Sequence, residues 1–240
     1  MRASLFWGFE PQARYDSPFD GVLAQTNQCC GRRPADHASA IRCPGCNYLG
    51  ETMSRKIADI RIETARLILR PTAAEDFEGW AAFMADEEAA RFLGGVQPRP
   101  VAWRGFLSMA GAWAIQGFAM FSVIEKSTGR WVGRLGPWMP EGWPGTEVGW
   151  GIAREAWGRG YATEGAIAAI DWAFTHLGWT EVIHTIAPDN AASQAVARKL
   201  GSRNLRSGRL PAPFDQLPID IWGQSREEWF AQRTGTQSTL

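Results

Sequence analysis

From about residue 57 onward, hydrophobic and polar residues recur with the periods of regular secondary structure. Residues 60–70 place isoleucines and leucines between polar neighbours, which predicts one strand ended by Pro71. Thr72 is the expected cap of a helix over residues 73–84, since acidic residues fill the first turn. The pattern then predicts a helix over 101–115, strands over 118–125, 131–135 and 146–152, a helix over 160–177, a strand over 181–187, a helix over 192–200, and strands over 205–208 and 218–223.

This order of elements predicts one α/β domain of the α+β kind with a mixed, mostly antiparallel central sheet. Residues 126–130 form a polar turn between two strands and indicate a hairpin in the first half of the domain. The helix over 160–177 lies between two strands and predicts one strand-helix-strand crossover.

Residues 1–52 differ from the remainder because they show no sustained period of 2 or 3.6. We expect a disordered leader or a start assigned too early, since Met53 leads directly into the first strand. The folded domain is predicted over 53–232, followed by a flexible tail over 233–240.

The cysteines all lie in the predicted leader, so disulfides are not expected to hold the main domain together. Cys43 and Cys46 form a CxxC pair, and a zinc site is the alternative reading of this segment. A second CxxC pair would be needed for strong evidence, and the chain has instead the adjacent Cys29 and Cys30.

Charge and hydropathy exclude several classes of protein. The 25 basic residues balance 25 acidic ones, which argues against a dedicated nucleic-acid-binding protein. No apolar run approaches the roughly 18 residues of a membrane helix, and residues 1–16 do not resemble a secretory signal. We therefore expect a cytoplasmic protein with no nucleic-acid or membrane partner.

Gly158-Arg159-Gly160 lies between a predicted strand and a predicted helix. Glycines before a helix expose N–H groups at the positive end of the helix dipole, which is a favourable site for phosphate. A Walker A loop is excluded because Ala166 stands where lysine would follow the second glycine. A dinucleotide fingerprint is excluded because Thr163 replaces its third glycine. A simple tight turn stays open as the alternative.

Residues 157–162, Trp-Gly-Arg-Gly-Tyr-Ala, resemble the acyl-CoA-binding motif Gln/Arg-x-x-Gly-x-Gly/Ala of the GNAT superfamily of N-acetyltransferases. Tryptophan at the first position is similar to the RimJ/RimL-like branch, which acetylates ribosomal-protein N-termini. Residues 64–71, 190–201 and 222–229 resemble further segments of that branch in the same order. The resemblance spans about residues 59–230.

The resemblance implies the GNAT (acyl-CoA N-acyltransferase) fold, with helices on both faces of the sheet. It implies acetyl-CoA as co-substrate, no metal, and an amine acceptor that is a protein N-terminus or a small molecule. A monomer or homodimer is expected. A non-catalytic acyl-CoA-binding regulatory module is the competing class.

The resemblance also assigns residues to the cofactor. Backbone amides would hold the pyrophosphate, and the pantetheine arm would pair with the strand over 148–152, where Gly149 and Gly151 suit a bulge or close approach. Asn190 would hydrogen-bond the arm. The implied cofactor-binding residues are Trp150, Gly151, Ile152, Trp157, Gly158, Arg159, Gly160, Tyr161, Ala162, Thr163 and Asn190.

Amine acetylation needs a base for the ammonium, a donor to the thioester oxygen and an acid for the leaving thiolate. Glu147 is the expected base, and an N–H of Trp150, Gly151 or Ile152 is the expected oxygen donor. Ala197 stands where many members of the family have a tyrosine acid, and Ser193 is the expected replacement. His184 is a further candidate base.

Overall fold

The structure is a computed structural model that describes residue 57 and residues 59–235. The predicted leader over 1–52 and its cysteines lie outside these residues. Of the predicted tail, residues 233–235 belong to the last helix, and 236–240 lie outside the description.

The described chain forms eight strands and six α-helices. The strands are β1 (Ile62–Glu63), β2 (Leu67–Arg70), β3 (Phe121–Glu125), β4 (Trp131–Trp138), β5 (Glu147–Ile152), β6 (Glu181–Ile186), β7 (Arg203–Gly208) and β8 (Ile219–Ser225). The helices are α1 (Phe77–Ala85), α2 (Glu87–Ala90), α3 (Arg99–Gln116), α4 (Tyr161–Trp172, continued by a π-helical turn over Ala173–Leu177), α5 (Ala191–Lys199) and α6 (Arg226–Gly235).

All eight strands form one sheet in the order β1-β2-β3-β4-β5-β6-β8-β7. Neighbouring strands are antiparallel except β5 and β6, which are parallel and joined through α4. The predicted mixed, mostly antiparallel sheet with one crossover is confirmed. The parallel pair at the middle of the sheet positions the site.

The single strand predicted over 60–70 is wrong, because β1 and β2 form an antiparallel hairpin. Thr64 N donates to Leu67 O at 3.0 Å and closes the turn. The backbone N of Arg66 donates to the Glu164 carboxylate at 2.8 Å. A contact from a helix about a hundred residues away thus stabilises a turn that local alternation does not indicate.

Thr72 is not the expected helix cap. A 3-10 turn over Ala74–Asp76 precedes α1, and Ala73 is its first flanking residue. The Asp76 side chain accepts the Ala73 N–H at 2.9 Å and also pairs with Arg70 at 2.7 Å. Asp76, rather than Thr72, therefore stabilises the start of this helical segment.

Helices cover both faces of the sheet, as expected. A side chain at Gly151 would meet Phe83 of α1. On the other face, Leu135 of β4 packs so closely on Gly165 of α4 that a Cβ at this glycine would overlap it. Because side chains alternate along a strand, small residues on each face let a helix approach the sheet.

Candidate active site

The parallel strands β5 and β6 share one backbone bridge and then diverge. The bridge pairs Glu147 with Ile183, and Ile183 N donates to Thr146 O at 2.9 Å. In a continuing parallel ladder the next bond would join Thr185 N to Val148 O. That bond is absent from the described sheet, so an opening begins at this point.

Two side chains satisfy the backbone N–H and C=O groups that the missing bond would have joined. Thr185 N donates to Glu147 Oε1 at 3.1 Å. His184 Nδ1 donates to Val148 O at 2.7 Å. Because both backbone groups keep a partner, the strands separate without leaving a buried peptide group unpaired.

The backbone of β5 faces the opening at alternate residues, because N–H groups in an antiparallel ladder point alternately to either side. Ala153 N points to β4 and donates to Val132 O at 2.9 Å. Gly151, two residues earlier, points the same way. The N–H groups of Trp150 and Ile152 therefore face the opening, and these two remain as candidate donors to the thioester oxygen.

Gly149 and Gly151 do not form a bulge, because the register between β4 and β5 is continuous. They allow close packing instead. A Cβ at Gly149 would lie 2.6 Å from Cε of Met120, and one at Gly151 would lie 2.9 Å from Cζ of Phe83. The expected close approach at these glycines involves side chains of the protein.

Glu147 is buried, with 5% of its surface exposed. Its Oε2 accepts from Trp143 Nε1 at 2.5 Å, and Thr185 donates to Oε1 through both its N and its Oγ1. Burial raises the pKa of the carboxyl above its ordinary value, against the opposing effect of these hydrogen bonds. A carboxylate with a raised pKa suits a general base near neutral pH.

Ser193 and Asn190 lie at the start of α5, on the other side of the opening. Asn190 Oδ1 accepts Ser193 N at 3.1 Å and caps the helix. Ser193 Oγ accepts Trp150 Nε1 at 3.2 Å. Since this hydroxyl is an acceptor toward the indole, its own proton stays available for another acceptor.

His184 is a structural residue and not the candidate base of the sequence analysis. It is 1% exposed, and its two ring nitrogens contact Val148 O and Ser202 Oγ, the latter at 3.0 Å. The bond to the carbonyl assigns the proton to Nδ1, so Nε2 accepts from the serine. Burial lowers the pKa of the imidazole to about 4. A neutral ring with both nitrogens engaged holds the strands apart.

A cavity of about 740 Å³ lies at the opening. Glu147, Trp150, Asn190 and Ser193 all line it, so four predicted site residues meet there. The remaining wall is mainly apolar, and its aromatic and methionine side chains include Trp80, Met84, Phe92, Met109, Trp138 and Trp143. The cavity can hold an acceptor with an apolar body.

The predicted phosphate loop lies outside the cavity lining. Gly158 and Gly160 adopt left-handed conformations, with φ of 73° and 78°. Backbone acceptors for the N–H groups of the Gly158–Gly160 segment are absent from the described residues. Since α4 begins at Tyr161, its first N–H groups, including those of Ala162 and Thr163, also lack acceptors within the helix. This N–H cluster fits a phosphate group.

Side chains beside this loop hold its conformation. Trp157 Nε1 donates to Ile152 O at 2.6 Å, which ties the loop to the end of β5. The Glu125 carboxylate accepts from Arg159 at 3.0 Å and from Tyr161 at 2.5 Å. Arg159 is therefore paired with an acid of the protein. Its proximity to the phosphates stays a prediction.

Sequence reasoning missed two residues of the site, Thr185 and Arg134. The recurrence of tryptophan over residues 131–157 indicates a cleft wall that includes Trp143, but not its bond to Glu147. Thr185 binds Glu147 through its N–H and its hydroxyl, and an uncharged threonine within a strand gives no sequence signal. Arg134 does give one, because it is the single charged residue in the strand Trp-Val-Gly-Arg-Leu-Gly-Pro-Trp.

Comparison with known proteins identifies the class. The family model described as "Acetyltransferase (GNAT) domain" matches residues 66–203, more than half of the chain. The chain belongs to this family, which uses acetyl-CoA, and the protein is a GNAT N-acetyltransferase. The family recognition, fold and enzyme class predicted from the sequence are confirmed.

Solved structures agree with this assignment. An acetyltransferase from Agrobacterium tumefaciens str. C58 is 30% identical, with a TM-score of 0.61 over 69% of this chain and 94% of its own. Mycobacterium smegmatis RimJ in complex with CoA-disulfide shares the fold at 22% identity and a TM-score of 0.54, over 68% and 83% of the two chains. A putative ribosomal-protein-serine acetyltransferase from Vibrio cholerae shares the fold at 21% identity and a TM-score of 0.58, over 70% of this chain and 98% of its own. The latter two structures show the same fold as this chain.

Residues 57 and 59–235 contain no group of His, Cys, Asp and Glu that could hold a metal ion. Within the same part of the chain, no helix has the length and apolar character that crossing a membrane requires.

Proposed function

We propose that this enzyme binds acetyl-CoA along the opening between β5 and β6 and acetylates an amine held in the adjoining cavity. The observation that carries the proposal is the direction of the backbone N–H groups of Trp150 and Ile152, which face the opening that Glu147 and Ser193 line. An unpaired strand backbone beside two groups that can transfer protons is the arrangement that acetyl transfer requires.

The chain offers separate groups to the two ends of acetyl-CoA, which supplies the acetyl thioester. The N–H groups from Gly158 to Thr163 would bind the pyrophosphate at the start of α4. Trp150 would pair with the pantetheine arm through its backbone. Asn190 would donate to the same arm from its amide nitrogen, while its Oδ1 keeps the helix cap.

Proton transfer is assigned to the side chains at the opening. Glu147 takes the amine proton, directly or through water, and Trp143 and Thr185 hold its carboxylate in place. The N–H of Trp150 or Ile152 donates to the thioester oxygen. Ser193 donates its hydroxyl proton to the departing sulfur while its oxygen accepts from the Trp150 indole.

The acceptor is an amine on a small molecule or on a protein N-terminus. A structure from Vibrio fischeri described as ribosomal-protein-S5-alanine acetyltransferase shares the fold and motivates protein N-termini as candidates. The cavity, with its aromatic walls, favours a compact acceptor. A cytoplasmic location and a monomeric or homodimeric state stay as predicted from the sequence.

The test is an acceptor screen with the purified full chain and acetyl-CoA. Mass spectrometry of the products and thiol release from CoA should both report acetylation of at least one amine. Binding of CoA without any acetylated product would favour the non-catalytic acyl-CoA-binding module instead.

A further inference from the structure

Arg134 of β4 lines the cavity on the same side of the sheet as Glu147, and no acidic residue of the described part of the chain forms an ion pair with it. Its Nη1 approaches Met120 Sδ at 2.8 Å, and its guanidinium lies 5.1 Å from the centre of the Trp80 ring. Its Nε is buried and has no hydrogen-bond partner among the described residues. A thioether is a weak acceptor, so most of the donor capacity of this guanidinium is unused.

Another arginine of the same chain shows how a partly buried guanidinium is ordinarily satisfied here. Arg70 donates through Nη1 and Nη2 to the two oxygens of Asp76, each at 2.7 Å. Glu147 cannot serve Arg134 in this way, because Trp143 and Thr185 occupy its carboxylate oxygens. The two groups interact through charge alone.

Arg134 stays a cation in spite of its surroundings. Burial lowers the pKa of its guanidinium to about 10, and the charge of Glu147 opposes that shift. At neutral pH the cavity therefore contains a protonated guanidinium with free donors. Unsatisfied buried donors are uncommon in proteins, and a planar guanidinium fits a carboxylate with two parallel bonds.

One side chain, that of Met120, separates the guanidinium of Arg134 from the carboxylate of Glu147. Met120 lies between them, since its Sδ contacts Arg134 and its Cε faces the Cβ position of Gly149. That same position is 3.3 Å from Glu147 Oε1. A molecule that reaches both groups needs only a few atoms between its amine and its anionic group.

We propose that the acceptor is a small amino carboxylic acid, whose carboxylate binds Arg134 while its amine faces Glu147. This inference rests on the proposed function and names the substrate class of the same site. The aromatic wall of the cavity contacts the apolar part of the acceptor.

The experiment compares acceptors in pairs, each pair being an amino acid and its uncharged carboxamide. The pairs form a series in which the amine and the carboxyl group are separated by an increasing number of atoms. The wild-type chain should prefer the acid of the best pair by about 10- to 100-fold in kcat/KM, as charge-assisted hydrogen bonds imply. Arg134→Met should remove this preference, so that the ratio of the two kcat/KM values falls to about one. Arg134→Lys keeps the charge and should retain part of the preference.

Arg61→Met is the matched control, because Arg61 is exposed, pairs with Glu63 and does not line the cavity. It should keep the full preference. The inference would be overturned if the wild type had equal kcat/KM for the acid and the carboxamide of each pair. It would also be overturned if Arg134→Met and Arg134→Lys lowered kcat/KM equally for acid and carboxamide. Either result would leave the proposed function intact. A higher kcat/KM for a peptide with an acidic first residue than for any free acid would overturn the small-molecule assignment. Failure to acetylate any amine would overturn the proposed function, and this inference with it.

Discussion

Glu147 accepts the backbone N–H of Thr185 at 3.1 Å, the same N–H that a continuous parallel ladder would give to the neighbouring strand. One carboxylate thus takes the place of a ladder bond between two strands and lines the opening there, where it is the proposed base. The structural and chemical roles of Glu147 are therefore coupled, and substitutions must be designed to distinguish them.

Glu147→Gln should lower the rate of acetylation by about 10²–10⁴-fold and leave acetyl-CoA affinity nearly unchanged, because it removes the base. In the wild type the rate should rise with pH as the carboxylate forms, and the raised pKa of Glu147 places this rise above the range of an ordinary glutamate. The pH profile of kcat/KM in the variant should be flat. Turnover within about threefold of the wild type would exclude Glu147 as the base.

Trp143→Phe provides a conservative companion to that variant. The indole N–H lowers the pKa of Glu147, against the larger effect of burial. Its removal should shift the midpoint of the pH–rate profile to higher pH without flattening the profile. An unchanged midpoint would show that the titrating group is not Glu147.

Ser193→Ala should lower the rate at every pH, because a hydroxyl does not titrate in the range of the assay. Acetyl-CoA affinity should change little, and Asn190 should still cap α5 because the bond goes to the backbone N of residue 193. Ser193→Thr is the control, since it keeps the hydroxyl. Equal rates for the alanine variant and the wild type would place the proton donor elsewhere.

Gly160→Asp should weaken acetyl-CoA binding more than Gly160→Asn does. Both variants place a side chain at a left-handed position with φ of 78°, and both residues tolerate it better than most. Only aspartate adds a negative charge at the helix N-terminus beside the phosphates, which is unfavourable by up to about 2 kcal/mol. Calorimetry that gives equal affinity for the two folded variants would argue against phosphate at this loop.

His184 should make the stability of the protein depend on pH. Its pKa is about 4 in the folded protein against 6.5 for the free side chain, so the unfolded chain binds the proton more readily. The stability that it contributes is complete above pH 6.5 and is lost as pH falls toward 4, by about 3 kcal/mol in all. Urea unfolding from pH 7 to 4 measures this slope.

His184→Gln should reduce that slope, with a lower stability at neutral pH because a neutral buried ring is lost. His176→Gln is the control, since His176 is exposed. If both variants keep the slope of the wild type, the pH dependence comes from other groups.

Removal of residues 1–52 should leave the melting temperature and acetyl-CoA affinity unchanged, because that segment has no periodic element in its sequence. Differential scanning calorimetry of the full chain and of a chain that starts at Met53 tests this. A loss of several degrees would assign the segment a structural role.

The sequence alone determined those features that depend on neighbouring residues. The strand over Glu147–Ile152, the glycines of the phosphate loop and the helix from Tyr161 have local periodicity and turn chemistry, and each lies close to its predicted place. These signals also supported recognition of the family. The predicted catalytic pair, Glu147 and Ser193, lines one cavity, although they stand far apart in the chain.

Only the tertiary structure decided what depends on residues that are distant in sequence. Glu164 stabilises the turn between β1 and β2 by binding Arg66, and local alternation along one strand contains no trace of that contact. His184 and Glu147 bind the backbone C=O and N–H that a ladder bond would join, in two strands that are separated in sequence by a helix. Arg134 differs from an ordinary surface arginine only because the fold encloses it without an acid. Burial and partner identity fix the charge and the role of each of these groups, and both arise when the strands and helices pack together.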